Sequence, residues 1–379
     1  MDFALVEGIA YKPLHHCTSV LTLNFPSHHT NTHMAAKNSE PSDTPKYLQK
    51  VELTQENKDL IANLPSDTFW RPITIHQYDG FWHTTKQLQG ILNSQKHFNA
   101  HDSDILLVTL PKSGTTWLKA LTYAMINRMI HYPNPNLDKN QSYPHPLVTA
   151  NPHDLVPFLE INIYIHENIP DLRSFPSPRL FASHMSYISL PESVKLSKCK
   201  IVYLCRNPKD MFTSMWHFIR KLVPQAQEPT NWSVEESFER FCEGRNPSGP
   251  FWDHILGYYK QSLERPYKVM FLTYEELKSE PTRVLKDLAE FMGHGFTKEE
   301  ESGNVINDIL KLCSFENLSN LEVNKTGKLL TGEENNIYFR RGDVGEGENF
   351  LTSDMIEKLN VITQEKLGKH GLNFQIHKS

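Results

Sequence analysis

Apolar residues in this chain switch between two spacings, and the order of the switches predicts the class of fold. The continuous apolar run Ile105–Leu110 reads as a strand buried on both faces. Trp117, Leu118, Leu121, Met125 and Met129 then recur at helical spacing, which predicts a helix with one face turned inward. Further strands are expected at Arg179–Ser183, Lys200–Leu204 and Val269–Leu272. Helices are expected near Thr85–His97, near Pro191–Leu196, from Pro208 onward, over Pro250–Leu263, and over Thr282–Met292, where Gly293 ends the last. Ser233-Val234-Glu235-Glu236 forms a capping box that opens a helix to about Glu243. Upstream, Thr54 caps a short helix, Gln55–Asn63, closed by Pro65, and Asp79-Gly80 sets a tight hairpin within Ile73–Trp82. The proline-rich stretch from Pro133 to Pro157 reads as irregular loop.

Strands alternating with helices imply an α/β fold: a single domain with a mostly parallel central sheet flanked by helices. Ligands of such sheets bind beyond the carboxyl ends of the strands. Lys112, His184, Arg206 and Thr273 or Tyr274 all fall just past expected strand ends.

Composition narrows the classes of function. A chain of 379 residues is long enough to bury a substantial core, and its apolar fraction of 39% and charged fraction of 22% are those of a soluble globular protein. The net charge of −5 lends no support to nucleic-acid or acidic-membrane binding, so any basic site must be local. The apolar runs fall short of the roughly 18 residues that a bilayer span needs. Cys17, Cys199, Cys205, Cys242 and Cys313 are scattered and odd in number, which fits reduced cytosolic thiols and neither a disulfide framework nor a zinc site. The first 33 residues are rich in His, Ser, Thr and Asn, with Lys12 as their one lysine and no arginine. Asp2 and Glu7 argue against a transit peptide, and the segment reads as a disordered extension or the product of a start upstream of Met34.

The chemistry concentrates where the first buried strand ends. Pro111-Lys112-Ser113-Gly114-Thr115-Thr116-Trp117 joins that strand to the next helix. Such a strand–loop–helix aims backbone N–H groups and a positive helix end at one point, which suits a phosphate. Lys112 adds a full charge, and Thr115 and Thr116 add hydroxyl donors. The lysine precedes the only glycine, so the spacing is not that of the Walker loop. Taken alone, the pattern also fits a capped α/β turn.

Two more stretches set the context. Tyr203-Leu204-Cys205-Arg206-Asn207-Pro208-Lys209-Asp210 is followed by Ser214, Trp216, His217 and Phe218, and Phe339-Arg340-Arg341-Gly342-Asp343-Val344-Gly345 lies near the C-terminus. Together, in this order, the three stretches resemble the cytosolic sulfotransferases, which draw a sulfuryl group from 3′-phosphoadenosine 5′-phosphosulfate (PAPS). The resemblance runs from about residue 69 to about residue 374. It implies a P-loop-like phosphosulfate site at Lys112, Ser113, Gly114, Thr115, Thr116 and Trp117, and a 3′-phosphate site at Arg206 and Ser214. Tyr274 would join the nucleotide site, and Arg340, Arg341 and Gly342 would close it. His184 stands at the family's position for the catalytic base, with His217 as rival, and Lys112 would stabilise charge on the leaving phosphate during in-line transfer without a metal. The chain then divides into a disordered extension over 1–45 and a sulfotransferase domain over 46–379, in a cytoplasmic protein without the membrane anchor of the Golgi carbohydrate enzymes.

Two departures from the family pattern stand out. Animal members commonly carry lysine two residues before the histidine, whereas this chain has Ala182 there, as plant members often have. Gly345-Glu346-Gly347-Glu348-Asn349 replaces Gly-Asp-Trp-Lys-Asn, which puts the tightness of loop closure in question. Gly80-Phe81-Trp82 and Pro250-Phe251-Trp252-Asp253-His254 resemble the plant branch, which sulfates flavonoids, desulfoglucosinolates, hydroxyjasmonates and brassinosteroids. Phe81, Trp82, Tyr187 and Trp216 are candidate walls for a small hydroxylated acceptor, although such aromatics are more often core. The sequence leaves the acceptor and the oligomeric state open. The rival readings are a nucleotide kinase, which would want a Walker glycine spacing and a magnesium-binding acid, and a catalytically idle adenosine-bisphosphate-binding protein.

Overall fold

The computed structural model describes residues 51–69, 73–131, 144–223 and 233–374, all of them within one compact unit, Thr44–Ser379. The expected extension over 1–45 lies outside the described residues, as does Cys17.

Four parallel strands form the central sheet: β4 (Ile105–Thr109), β5 (Leu180–Ser183), β6 (Lys200–Cys205) and β7 (Val269–Thr273), in the order β5-β4-β6-β7. Every residue of β4 and β5 is buried, as the continuous apolar runs require. Leu106, Val108, Phe181, Ile201 and Tyr203 pack on one face against Phe251, Ile255 and Tyr258 of the helix Phe251–Glu264. Leu107, Ala182, Val202 and Leu204 pack on the other, against Leu118 and Leu121 of the helix Thr115–Ile126 and Leu285 and Leu288 of the helix Pro281–Phe291. Successive side chains of a strand point to opposite faces, so each strand feeds both layers.

A second, antiparallel sheet joins β1 (Ser66–Phe69), β2 (Ile73–Tyr78) and β3 (Phe81–Thr84). Asp79 and Gly80 both have positive φ, 51° and 82°, the backbone that a two-residue hairpin turn demands. β1 escapes sequence reading because Phe69 is its one buried residue.

Two expectations change. Asn127 ends the helix Thr115–Ile126, and Met129 falls in a separate turn, Arg128–His131, where it is 76% exposed and not part of the buried face. The described part of the stretch expected to be loop contains the short helices Pro146–Val148 and Pro152–Leu155. A single π turn, Leu159–Ile163, follows.

Candidate active site

Register brings the chemistry to one level. Val108 pairs with Ser183, Thr109 with Leu204, and Cys205 with Thr273, so the strands end side by side. β4 has β5 on one side and β6 on the other, so a crevice opens at its carboxyl end. The residues that follow the strand ends include Lys112, His184, Arg206 and Tyr274, and all four line one cavity of about 380 Å³. Gly114, Thr115, Thr116, Trp117, Ser214, Arg340, Arg341 and Gly342 line it too. Ser113 does not. Its side chain is fully buried and its amide donates to Leu110 O at 3.2 Å, closing the turn beneath the loop.

Lys112 (φ 68°) and Gly114 (φ 105°) turn the loop through left-handed conformations. A Cβ on Gly114 would also lie 2.6 Å from the Tyr274 ring, so backbone and space both require glycine there. Gly114 is the N-cap of the helix Thr115–Ile126, whose first N–H groups have no intrahelical partner and face the crevice end. The Lys112 ammonium sits 4.0 Å above the Phe218 ring. Burial, then the positive charges of Arg206, Arg340 and Lys221, push its pKa down to about 7. Trp117 Nε1 and Arg206 Nε are buried donors with no hydrogen-bond partner. Crowded cations and unanswered donors form a site that an anion would complete.

His184 is held at three points. Its amide donates to Glu160 Oε1 at 2.7 Å, its carbonyl lies 3.2 Å from His254 Nε2, and its Nδ1 donates to Thr109 O at 2.7 Å. Because a carbonyl can only accept, the ring proton belongs on Nδ1, and Nε2 keeps its lone pair. Burial, as the largest influence, lowers the His184 pKa to about 3, so the ring is a neutral imidazole. That is well below the near-neutral pKa that suits a general base. An anionic neighbour would raise it, since an opposite charge favours the protonated ring.

His254 connects the two segments noted as plant-like. Its Nδ1 accepts from Tyr203 Oη at 2.9 Å, and its ring meets Phe81 edge-on with centroids 5.9 Å apart. Trp82 N donates to Gly249 O at 2.8 Å, so the first segment also meets the backbone just ahead of the second.

The C-terminal loop is tied down by contacts that replace the missing tryptophan and lysine. Asp210 accepts from Gly345 N and Gly347 N, each at 2.8 Å, and lies 3.5 Å from Arg206. Arg206 donates to Asp343 O, and Tyr274 Oη donates to Gly342 O at 2.7 Å. A Cβ on Gly347 would come within 2.6 Å of Lys209 Cβ, so this close packing leaves no room for a tryptophan. Glu348 pairs with Lys209, a contact that lysine could not make. Arg340 is paired with the Glu346 carboxylate, whereas the Arg341 side chain is 63% exposed.

Phe81, Trp82, Tyr187 and Trp216 do not line the cavity. Trp216 is core, and Tyr187 packs edge-on against Tyr258. The apolar walls are instead Phe69, Ile73, Phe158, Ile161, Ile165 and Met215. The rival histidine, His217, lines the cavity half-buried against Phe350, with ring centroids 5.0 Å apart.

Sequence reasoning passed over Glu160, Asp210, Lys119 and His153. Asp210 stood in a quoted motif without a role. Lys119 carried a signal in retrospect: a lysine between Trp117-Leu118 and Ala120-Leu121, on a helix with little polar surface. Among the described residues, no three His, Cys, Asp or Glu side chains converge as a metal site.

Comparison with known proteins follows the same lines. Residues 102–371 match the family described as sulfotransferase domain. Cytosolic sulfotransferase 12 of Arabidopsis thaliana is 50% identical over 336 residues, which cover 89% of this chain and 99% of the relative. Cytosolic sulfotransferase 5 of the same plant is 48% identical over 328 residues, 86% of this chain and 99% of the relative. Among solved structures, an Arabidopsis thaliana protein proposed to be a steroid sulphotransferase superposes with a TM-score of 0.66 at 43% identity, covering 86% of this chain and 99% of that one. A mouse sulfotransferase complexed with PAP, the desulfated donor, gives a TM-score of 0.57 at 25% identity, covering 78% and 95%.

Proposed function

The chain belongs to the plant cytosolic sulfotransferases, and from that membership we propose that it moves the sulfuryl group of PAPS to a hydroxyl of a small plant metabolite, with His184 as the base. The protein is a sulfotransferase and PAPS is its sulfuryl donor. The observation that carries the proposal for His184 is its tautomer: Nδ1 is committed to Thr109 O, so the lone pair of Nε2 is free for a proton.

PAPS brings a sulfuryl group already attached to a good leaving phosphate. His184 Nε2 takes the proton of the acceptor hydroxyl as that oxygen attacks sulfur. Lys112, at the strand end beside it, stabilises the negative charge that grows on the departing phosphate oxygen. Both groups gain basicity from a bound anion, so the donor itself prepares them. Arg206 and Ser214 take the 3′-phosphate, and the Asp210-anchored loop covers it. The buried donors without partners, Trp117 Nε1 and Arg206 Nε, fit this anionic ligand. The apolar walls fit an acceptor of the flavonoid, desulfoglucosinolate, hydroxyjasmonate or steroid class, and the reaction is placed in the cytoplasm. No described helix is long and apolar enough to cross a membrane.

The test is transfer of labelled sulfate from PAPS to a panel drawn from those four classes. Transfer to at least one hydroxyl, with release of PAP, is expected. PAP binding without transfer to any of the four classes would overturn the proposed acceptor range.

A further inference from the structure

Beneath the donor loop, three side chains form a hydrogen-bonded row that ends in the cavity. Lys119, on the helix Thr115–Ile126, is fully buried. Its Nζ lies 3.2 Å from His153 Nδ1 and 3.3 Å from the centroid of the Phe158 ring. His153 Nε2 lies 2.9 Å from Thr116 Oγ1, and Thr116 lines the cavity. The His153 ring is fixed between Phe158 and Tyr338, with centroids 5.7 and 4.5 Å away, and its amide donates to Asn151 Oδ1 at 2.9 Å.

Counting hydrogens sets the direction of the row. Burial pushes the Lys119 pKa well below its ordinary value, with the Glu160 and Asp154 charges opposing it, and its Nζ sits over the face of the Phe158 ring, a position that favours the ammonium. An ammonium has only donors, so His153 Nδ1 accepts. Burial and the charge of Lys119 hold the His153 pKa well below its ordinary value, so the ring is neutral and carries one proton. That proton then sits on Nε2 and is donated to Thr116 Oγ1. The hydroxyl keeps its own hydrogen for a different partner, on the side that opens to the cavity. We propose that Lys119 and His153 are positioning residues that aim the Thr116 O–H at the anionic 5′ end of the donor. The inference rests on the reading of the loop as the phosphosulfate site. A donor aimed in advance costs no reorganisation when the anion arrives.

The probe is PAP, whose 5′-phosphate occupies the same end, titrated into the full chain by calorimetry. Thr116→Val should weaken PAP by about tenfold or more, the worth of a hydrogen bond to a charged group. His153→Leu should weaken it in the same direction, and the Thr116→Val/His153→Leu double variant should be no weaker than Thr116→Val alone. His153→Gln, which returns an N–H near the Nε2 position, should bind nearly as well as wild type. Lys119→Met supplies a second route: its loss should vanish in the Thr116→Val background. Additive losses, or a glutamine no better than leucine, would overturn the positioning role. An unchanged affinity in Thr116→Val would instead remove the loop assignment on which the inference stands.

Discussion

Gly90→Ala should lower both stability and turnover, although alanine is the better helix former. Gly90 sits inside the helix Thr85–His97 and is pressed against the π turn Leu159–Ile163. An added Cβ would overlap the Glu160 carbonyl oxygen and stand 2.6 Å from its carbon and 2.8 Å from Glu160 Cα. All three atoms are backbone, so no rotamer relieves the overlap. Helix propensity favours alanine by about 1 kcal/mol. Overpacking of a fitted interface costs about 1–3 kcal/mol, and an obstruction that cannot rotate belongs at the upper end. The net loss of about 1–2 kcal/mol lowers Tm by a few degrees for a domain this large. Turnover should fall further, because the displaced Glu160 holds the His184 amide at 2.7 Å. A misplacement of about 1 Å at a reacting group can cost a hundredfold in rate. Thermal unfolding and turnover are measured beside Gly257→Ala, a control in the helix Phe251–Glu264 where the nearest atom to the new Cβ is 3.9 Å away. The control should be as stable as wild type or more so. A Gly90→Ala variant that matches the control in Tm and wild type in turnover would refute the reasoning.

Arg206→Ala should weaken PAP about ten- to a hundredfold, while adenosine 5′-phosphosulfate, which lacks the 3′-phosphate, should be much less affected. An equal loss for both would place Arg206 elsewhere. Donor binding should also take up protons. With its pKa near 7 in the free protein, Lys112 is mostly neutral at pH 8, and a bound anion raises that pKa, so binding there draws in close to one proton and weakens as pH rises from 7 to 9. Calorimetry of PAP in two buffers of different ionisation enthalpy reads the uptake directly, and an uptake of zero contradicts the assignment. Starting the chain at Met34 should leave Tm and turnover unchanged, since residues 1–33 contain none of the donor motifs. A Tm several degrees lower would show that the segment docks on the domain.

The sheet and its strand-end residues were legible because each signal was local. The run Ile105–Leu110, apolar but for Thr109, marks β4, and the polar loop directly behind it announces its chemistry. The supports of the site were not local. The π turn that presents Glu160 depends on a helix about 70 residues earlier offering a glycine face, and nothing within Leu159–Ile163 records that. Lys119 is buried against all expectation for its type, because Phe158 and His153 reach it from another segment. Aromatic residues misled for the same reason. A ring that walls a cavity and a ring that fills a core look alike in sequence, and Phe158 took the place expected of Trp216. The closing loop shows the opposite case, where a departure from the family pattern, Gly347, proved to mark a contact too close for any side chain.

The central claim is that His184 is the base and acts on the acceptor alone. Its most direct test is single-turnover transfer from PAPS by His184→Ala, with PAP affinity measured on the same preparation. The account predicts PAP affinity within a few-fold of wild type and a transfer rate lower by about a hundredfold or more. A variant that transfers at more than about a tenth of the wild-type rate, below the usual contribution of a general base, would contradict it.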